Sequence, residues 1–248
     1  MSAEIKFDRS RTLDNEPVFR NANKRPGKTA FDDLVDPNEE AEASASIALH
    51  EADRMRSGEC LSVVDTTNLY NISVLSVFQR RTNFPTRYGD GSYAVWYGSL
   101  HPETTIWETA YHMIREEMGR GGHSKPITRH RAIYEVSCTA ILVDLTGDTA
   151  HALHLADPVY YDFTQQIGKR IRNEGHPGLL APSARQQGGD NVVLFKPNVL
   201  AGPKISRQLH YQLTPGTMMV DVRDADSKEV VLAIDGAKWF GYLTQNRE

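Results

Sequence analysis

Between residues 179 and 234 the chain is cut into five short aliphatic and β-branched stretches, 179–181, 192–195, 205–213, 218–222 and 230–234, separated by Gly, Pro, Asn and Asp. Runs of this length between turn formers are strands, and nothing of helical period lies between them. That excludes the regular alternation of strand and helix that builds a doubly wound parallel sheet. Helical signals come earlier. Pro102 opens a run to about Met118 that Gly119 closes, and Asp157-Pro158 starts another reaching about Asn173. Residues 131–138 alternate as a half-buried strand and 140–145 read as a second, more buried one. Helices set apart from a run of strands define an α+β fold.

The N-terminal part is of a different kind. Residues 1–30 are rich in Arg, Lys, Asn and Pro, with a basic knot at Lys24-Arg25-Pro26-Gly27-Lys28. Little there is apolar enough to offset the entropy of ordering, so they are expected to be a flexible or partner-binding arm, with packing along the domain as the alternative. Residues 31–58 turn acidic and read as a surface helix begun by Asp36-Pro37, and 59–248 as the main domain with a C-terminal extension of strands. Residues 69–78 mix Leu, Ile and Val without a decisive period.

Composition narrows the function. A net charge of -4 over 248 residues carries no global case for nucleic acid or an anionic membrane. The two cysteines, Cys60 and Cys138, match neither a disulfide framework nor a metal-ligand pattern, which suits a reducing compartment. With charges where a signal peptide needs an apolar core, the expectation is a soluble, unprocessed, cytoplasmic protein. The phosphate-binding Gly loops, the zinc-protease helix and the nucleophile elbow are all missing. His151 and His154 have no third ligand spaced with them and are read as surface histidines, so no metal is expected.

What remains is Arg87 in a Gly-rich turn, Tyr97 at the end of a strand expected over 93–97, Glu108 on the shoulder of the 102–118 helix, and Ser183 after Pro182. Singly, each has an ordinary structural explanation. Together they offer a planar fork for phosphate, an aromatic face, a carboxylate and a short hydroxyl. Ser183 has no His/Asp partner spaced for it and is not read as a nucleophile.

The order and spacing of Arg87, Tyr97, Glu108, Leu180-Ala-Pro-Ser183-Ala and Asn191-Val-Val-Leu-Phe-Lys-Pro197 resemble the RES domain family over roughly residues 60–200. The resemblance implies an ADP-ribosyltransferase-like core of short, mostly antiparallel strands with flanking helices. It also implies an enzyme that consumes NAD+ as substrate by hydrolysis or phosphorolysis, without a metal, often as the toxin of a bacterial toxin–antitoxin pair. Transfer of ADP-ribose to a protein is the alternative, and a non-catalytic binding protein the second. Glu108, Arg87 and Tyr97 are then the catalytic candidates, with Ser183, Tyr88, Arg81 and Asn191 as substrate-binding residues. A cognate antitoxin and a second copy of the chain are the implied protein partners. Two departures stand out. Pro85-Thr-Arg87-Tyr replaces the family's Gly-Gly-Arg-Trp, and no Tyr-Arg pair from a first strand is identified ahead of Arg80-Arg81.

Overall fold

A computed structural model describes residues 7–23, 69–79, 84–120, 125–157 and 159–244. The acidic helix expected over 31–58 and Arg81 lie outside these. The fold is α+β. Eight strands make one sheet in the order β1-β4-β7-β6-β5-β8-β9-β10, with a further β1–β5 pairing. Here β1 is Ser10–Asn23, β4 Trp96–Ser99, β5 Ile127–Asp144, β6 Gly178–Pro182, β7 Asp190–Leu194, β8 Leu200–Leu213, β9 Met219–Asp224 and β10 Val230–Asp235. A separate two-stranded turn joins β2, Pro85–Thr86, to β3, Gly89–Asp90. Within the large sheet only β5–β6 runs parallel, the mainly antiparallel arrangement expected. Because β1 pairs with both β4 and β5, strands β1, β4, β7, β6 and β5 close a circuit from which β8, β9 and β10 branch.

The strands are not all short. The two expected over 131–138 and 140–145 are one 18-residue strand, and the exposed Thr139 between them sits at the register shift, where its Oγ1 accepts from the Asn15 amide at 3.1 Å. Alternation explains its burial. Ala132, Tyr134, Val136 and Cys138 enter one core cluster with Leu13, Val18 and Ala22 of β1, while Ile133 enters another beneath the long helix.

Residues 10–23 are therefore a correction: the expected arm is a 14-residue strand inside the sheet. A low apolar content hid it, because only three apolar side chains, Leu13, Val18 and Ala22, are buried among its described residues once β5 supplies the partner ladder. Asn15 at φ 54 and a register shift between Leu13 and Glu16 absorb the irregularity before Pro17.

Helices cover the sheet in three places. The ambiguous stretch is helical, a π turn over Asn71–Leu75 running into Ser76–Phe78, where the buried Trp96 indole donates to the Ser73 carbonyl at 2.8 Å. The long helix Pro102–Gly119 begins and ends as expected. Asp157 does not open the next helix. Its carboxylate accepts from the Val159 and Tyr160 amides in a turn, and the helix starts at Asp162 and ends at Asn173. A last helix, Ala237–Thr244, was not expected and packs against the long helix within one apolar cluster.

Candidate active site

A cleft opens between the long helix, the β2–β3 turn and the paired strands β1 and β5. The long helix contributes one polar face, Thr105, Glu108, Thr109, His112 and Arg115, at spacings of three and four residues.

Glu108 is held from behind. Its Oε1 accepts from Ser183 Oγ at 2.7 Å and from Asn191 Nδ2 at 2.8 Å, and its Oε2 lies 4.0 Å from Arg185 Nε. The structure thus brings together three of the expected site residues, from the long helix, the loop after β6 and the start of β7. Ser183 does not itself line the cleft. Its Oγ accepts from the Arg185 and Gln186 amides at 3.1 Å each, so one hydroxyl shapes the 183–186 turn and orients the carboxylate. Asn191 lines the wall directly.

Arg87 reaches the cleft with part of its fork committed. Both of its hydrogen bonds leave Nη1, to the carbonyls of Asp157 at 2.7 Å and Leu155 at 3.2 Å, and its guanidinium lies over the Tyr161 ring at 4.7 Å. Tyr97 presents its ring, while its hydroxyl braces the turn, accepting from the Tyr88 amide at 2.9 Å and sharing a 2.8 Å bond with Thr86 Oγ1. The strand it was expected to end runs instead from Trp96 to Ser99, with Tyr97 inside it.

Tyr88 is 1 % exposed, lines the cleft, and its hydroxyl has no hydrogen-bond partner among the described residues. Burial and the nearby Glu108 push that phenol well above its ordinary range, so it is a donor at any working pH. The turn carrying Arg87 and Tyr88 is pinned to the Asp162–Asn173 helix. Gln165 donates to the Thr86 carbonyl at 3.0 Å, Lys169 pairs with Asp90 at 2.9 Å, and Gly168 leaves no room for a side chain beneath the Tyr88 carbonyl.

Sequence reasoning missed most of the positive charge. Arg20, Arg115, Arg131 and Arg185 join Arg87 in the lining, against the single carboxylate of Glu108. Arg131, 1 % exposed, donates from Nε to Asn21 Oδ1 at 2.7 Å and from Nη2 to the Asn21 carbonyl at 2.9 Å. Arg20 donates to the Tyr97 carbonyl at 2.9 Å. Arg20 follows Phe19 on β1, an aromatic-Arg pair on a first strand of the kind sought ahead of Arg80-Arg81. The signal was present and lay in the segment set aside as an arm. Desolvation and the charges of Arg115, Arg185, Arg87 and Arg131 hold His112 well below the ordinary imidazole range. Among the described residues no group of three His, Cys, Asp or Glu is placed to hold a metal.

The site is thus one braced carboxylate, Glu108, facing five arginines among the described lining residues of an α+β fold. The RES domain matches residues 76–214, more than half of the chain, and the chain belongs to the RES domain family. No curated protein sequence matches it. Among solved structures, the Mycobacterium tuberculosis MbcT-MbcA toxin-antitoxin complex aligns at 13% identity and a TM-score of 0.41, covering 78% of this chain and 86% of the other. No helix among the described residues is long and apolar enough to cross a membrane.

Proposed function

We propose that the protein consumes NAD+ by breaking the bond between nicotinamide and ribose, as the toxin of a bacterial toxin–antitoxin pair. One observation carries the reading: among the described residues Glu108, fixed on one oxygen by Ser183 and Asn191, is the single carboxylate in a cleft lined by five guanidinium groups. Family membership supplies the substrate class.

In hydrolysis the C1′–N bond breaks with its electron pair retained by the departing, neutral nicotinamide, while a water oxygen bonds C1′ and its extra proton leaves to solvent. In phosphorolysis a phosphate oxygen takes the place of water. Positive charge grows on the ribose ring in both, and a preorganised anion beside it lowers the barrier. Glu108 supplies that charge. The arginines neutralise the pyrophosphate, the Tyr97 ring offers a stacking face, and the Tyr88 hydroxyl is a buried donor for a ribose or carboxamide oxygen. No step requires a metal.

A protein acceptor for the ADP-ribose is the second reading. It is favoured by the exposed Leu153, Val159 and Tyr160, on the segment whose Leu155 and Asp157 carbonyls hold Arg87. An antitoxin bound in the cytoplasm, or a second copy of the chain, would use such a surface equally well.

Incubating the purified chain with NAD+, with and without phosphate, and separating the products tests these readings together. Free nicotinamide with ADP-ribose or its 1″-phosphate is the expected result. Label retained on a macromolecule would move the assignment to protein ADP-ribosylation. Undiminished NAD+ would leave a binding protein.

A further inference from the structure

The carboxylate, the turn and the strands around the cleft fall within residues 76–214 or on β1. The last helix, Ala237–Thr244, does neither, and it lines no part of the cleft. It is nonetheless joined to the cleft by a continuous stack. Arg185, with a side chain 1% exposed, lies with its guanidinium carbon 3.3 Å from the centre of the Tyr111 ring. One face of Tyr111 is thereby taken. Phe240 of the last helix stacks on the same ring at 5.1 Å and 18°, which leaves it the opposite face, and Trp239 meets the ring edge-on at 5.4 Å.

The last helix is itself firmly seated. Asp235 Oδ1 accepts from the Ala237 amide at 2.9 Å to cap its start. Gly236 lies where a side chain would strike Ile114 of the long helix, and its amide bonds the Met218 carbonyl at 2.8 Å. Lys238 caps the outer end of the aromatic cluster, 3.6 Å from the Trp107 ring centre.

A guanidinium this deeply buried is desolvated, and burial lowers its tendency to stay charged while Glu108 opposes that effect. What fixes its plane is the ring beneath it and the Tyr161 hydroxyl, which accepts from Nη2 at 3.2 Å. A ring with an empty space behind it would not hold that plane, because packed side chains relax into voids.

We propose that Phe240 is a positioning residue for the cleft: through Tyr111 it sets Arg185 opposite Glu108, so that the C-terminal helix governs affinity for the substrate's anionic part. The proposal rests on the reading that the cleft takes a pyrophosphate-bearing substrate. Arg185 makes its contact with substrate, and Phe240 makes none. Losing the alignment weakens anion binding more than turnover, since Glu108 keeps its Ser183 and Asn191 donors.

The test compares Phe240→Ala and the milder Phe240→Leu with Val222→Ala, a fully buried position in the same apolar cluster on β9. Each variant is titrated with inorganic pyrophosphate by calorimetry and assayed for KM and kcat with NAD+, beside its melting temperature. We expect both Phe240 variants to weaken pyrophosphate binding and raise KM roughly three- to tenfold, part of the roughly thirtyfold that a desolvated cation–π contact contributes, with kcat within about twofold. Phe240→Tyr should restore both. Val222→Ala, at a similar loss of melting temperature, should leave both unchanged. Equal weakening by Val222→Ala, or wild-type pyrophosphate binding in both Phe240 variants, would overturn the proposal. If the unaltered chain leaves NAD+ intact yet the titrations still separate Phe240 from Val222, the substrate assignment fails and the coupling stands.

Discussion

At the scale of one side chain, the proposed chemistry rests on Glu108. Glu108→Gln keeps the size and both donors behind it but removes the charge, so turnover should fall by about 10²-fold or more with the melting temperature almost unchanged. A Gln variant turning over at the normal rate would remove Glu108 from the mechanism. Ser183→Ala takes a donor from Glu108 and an acceptor from two turn amides at once. Hydrogen bonds to charged groups contribute roughly 1.5–3 kcal/mol, so kcat should drop about ten- to a hundredfold. His112 gives a signature in pH. It stays neutral in the folded cleft, while in the unfolded chain it takes up a proton below about pH 6.5. The resulting stability is present above that value and is lost as pH falls from it toward the depressed folded value. Thermal melts of His112→Asn across pH 7.5 to 5.5 should therefore show a shallower acid decline than the unaltered chain; an identical slope would assign the decline elsewhere.

At the scale of elements, the β2–β3 turn and the helix beneath it act as one piece. Gly168→Ala would drive a methyl group into the Tyr88 carbonyl and lift the turn that carries Arg87. KM should rise more than kcat falls, and a variant with unchanged kinetics would uncouple that helix from the cleft. Deleting residues 1–23 is the sharper case. Leu13 and Val18 are almost fully buried, and burying two such side chains contributes roughly 3–6 kcal/mol. The truncated chain should lose cooperative unfolding by circular dichroism, and a stable, active truncation would contradict the strand assignment. The same comparison marks how far sequence alone could reach. Glu108, Ser183 and Asn191 were legible because the family's spacing names them, and the Pro102–Gly119 helix because proline and glycine punctuate it. Arg115, Arg131 and Arg185 were not, since an isolated arginine has no period and its meaning comes from the wall it joins. Strand β1 was hidden for a related reason: its long ladder partner is β5, with pairs running from Asn23–Arg131 to Ser10–Val143, more than a hundred residues along the chain.

For the whole molecule, charge is unevenly spread. The chain sums to -4, while among the described residues the cleft is lined by five arginines and one glutamate, a local +4 with His112 neutral. An anionic substrate is thus drawn to one place on a protein that repels it elsewhere. Screening shortens from about 10 Å at 0.1 M salt to about 3 Å at 1 M, so KM for a dinucleotide should climb over that range while kcat holds. A salt-independent KM would mean that the arginines serve structure alone.

The closed circuit of strands also dictates when the protein can begin to work. Arg20 leaves the ribosome long before β5, yet its strand has no ladder with β5 until β5 emerges, and the circuit stays open until β4 can meet β7, which ends at Leu194. Contacts of such long sequence separation form late and slowly. Until then Glu108 lacks Asn191, Arg131 lacks a settled Asn21, and the nascent chain is an unassembled sheet. A ribosome stalled before that point carries no cleft, so a cell translating this message meets its chemistry only after the whole circuit has been synthesised.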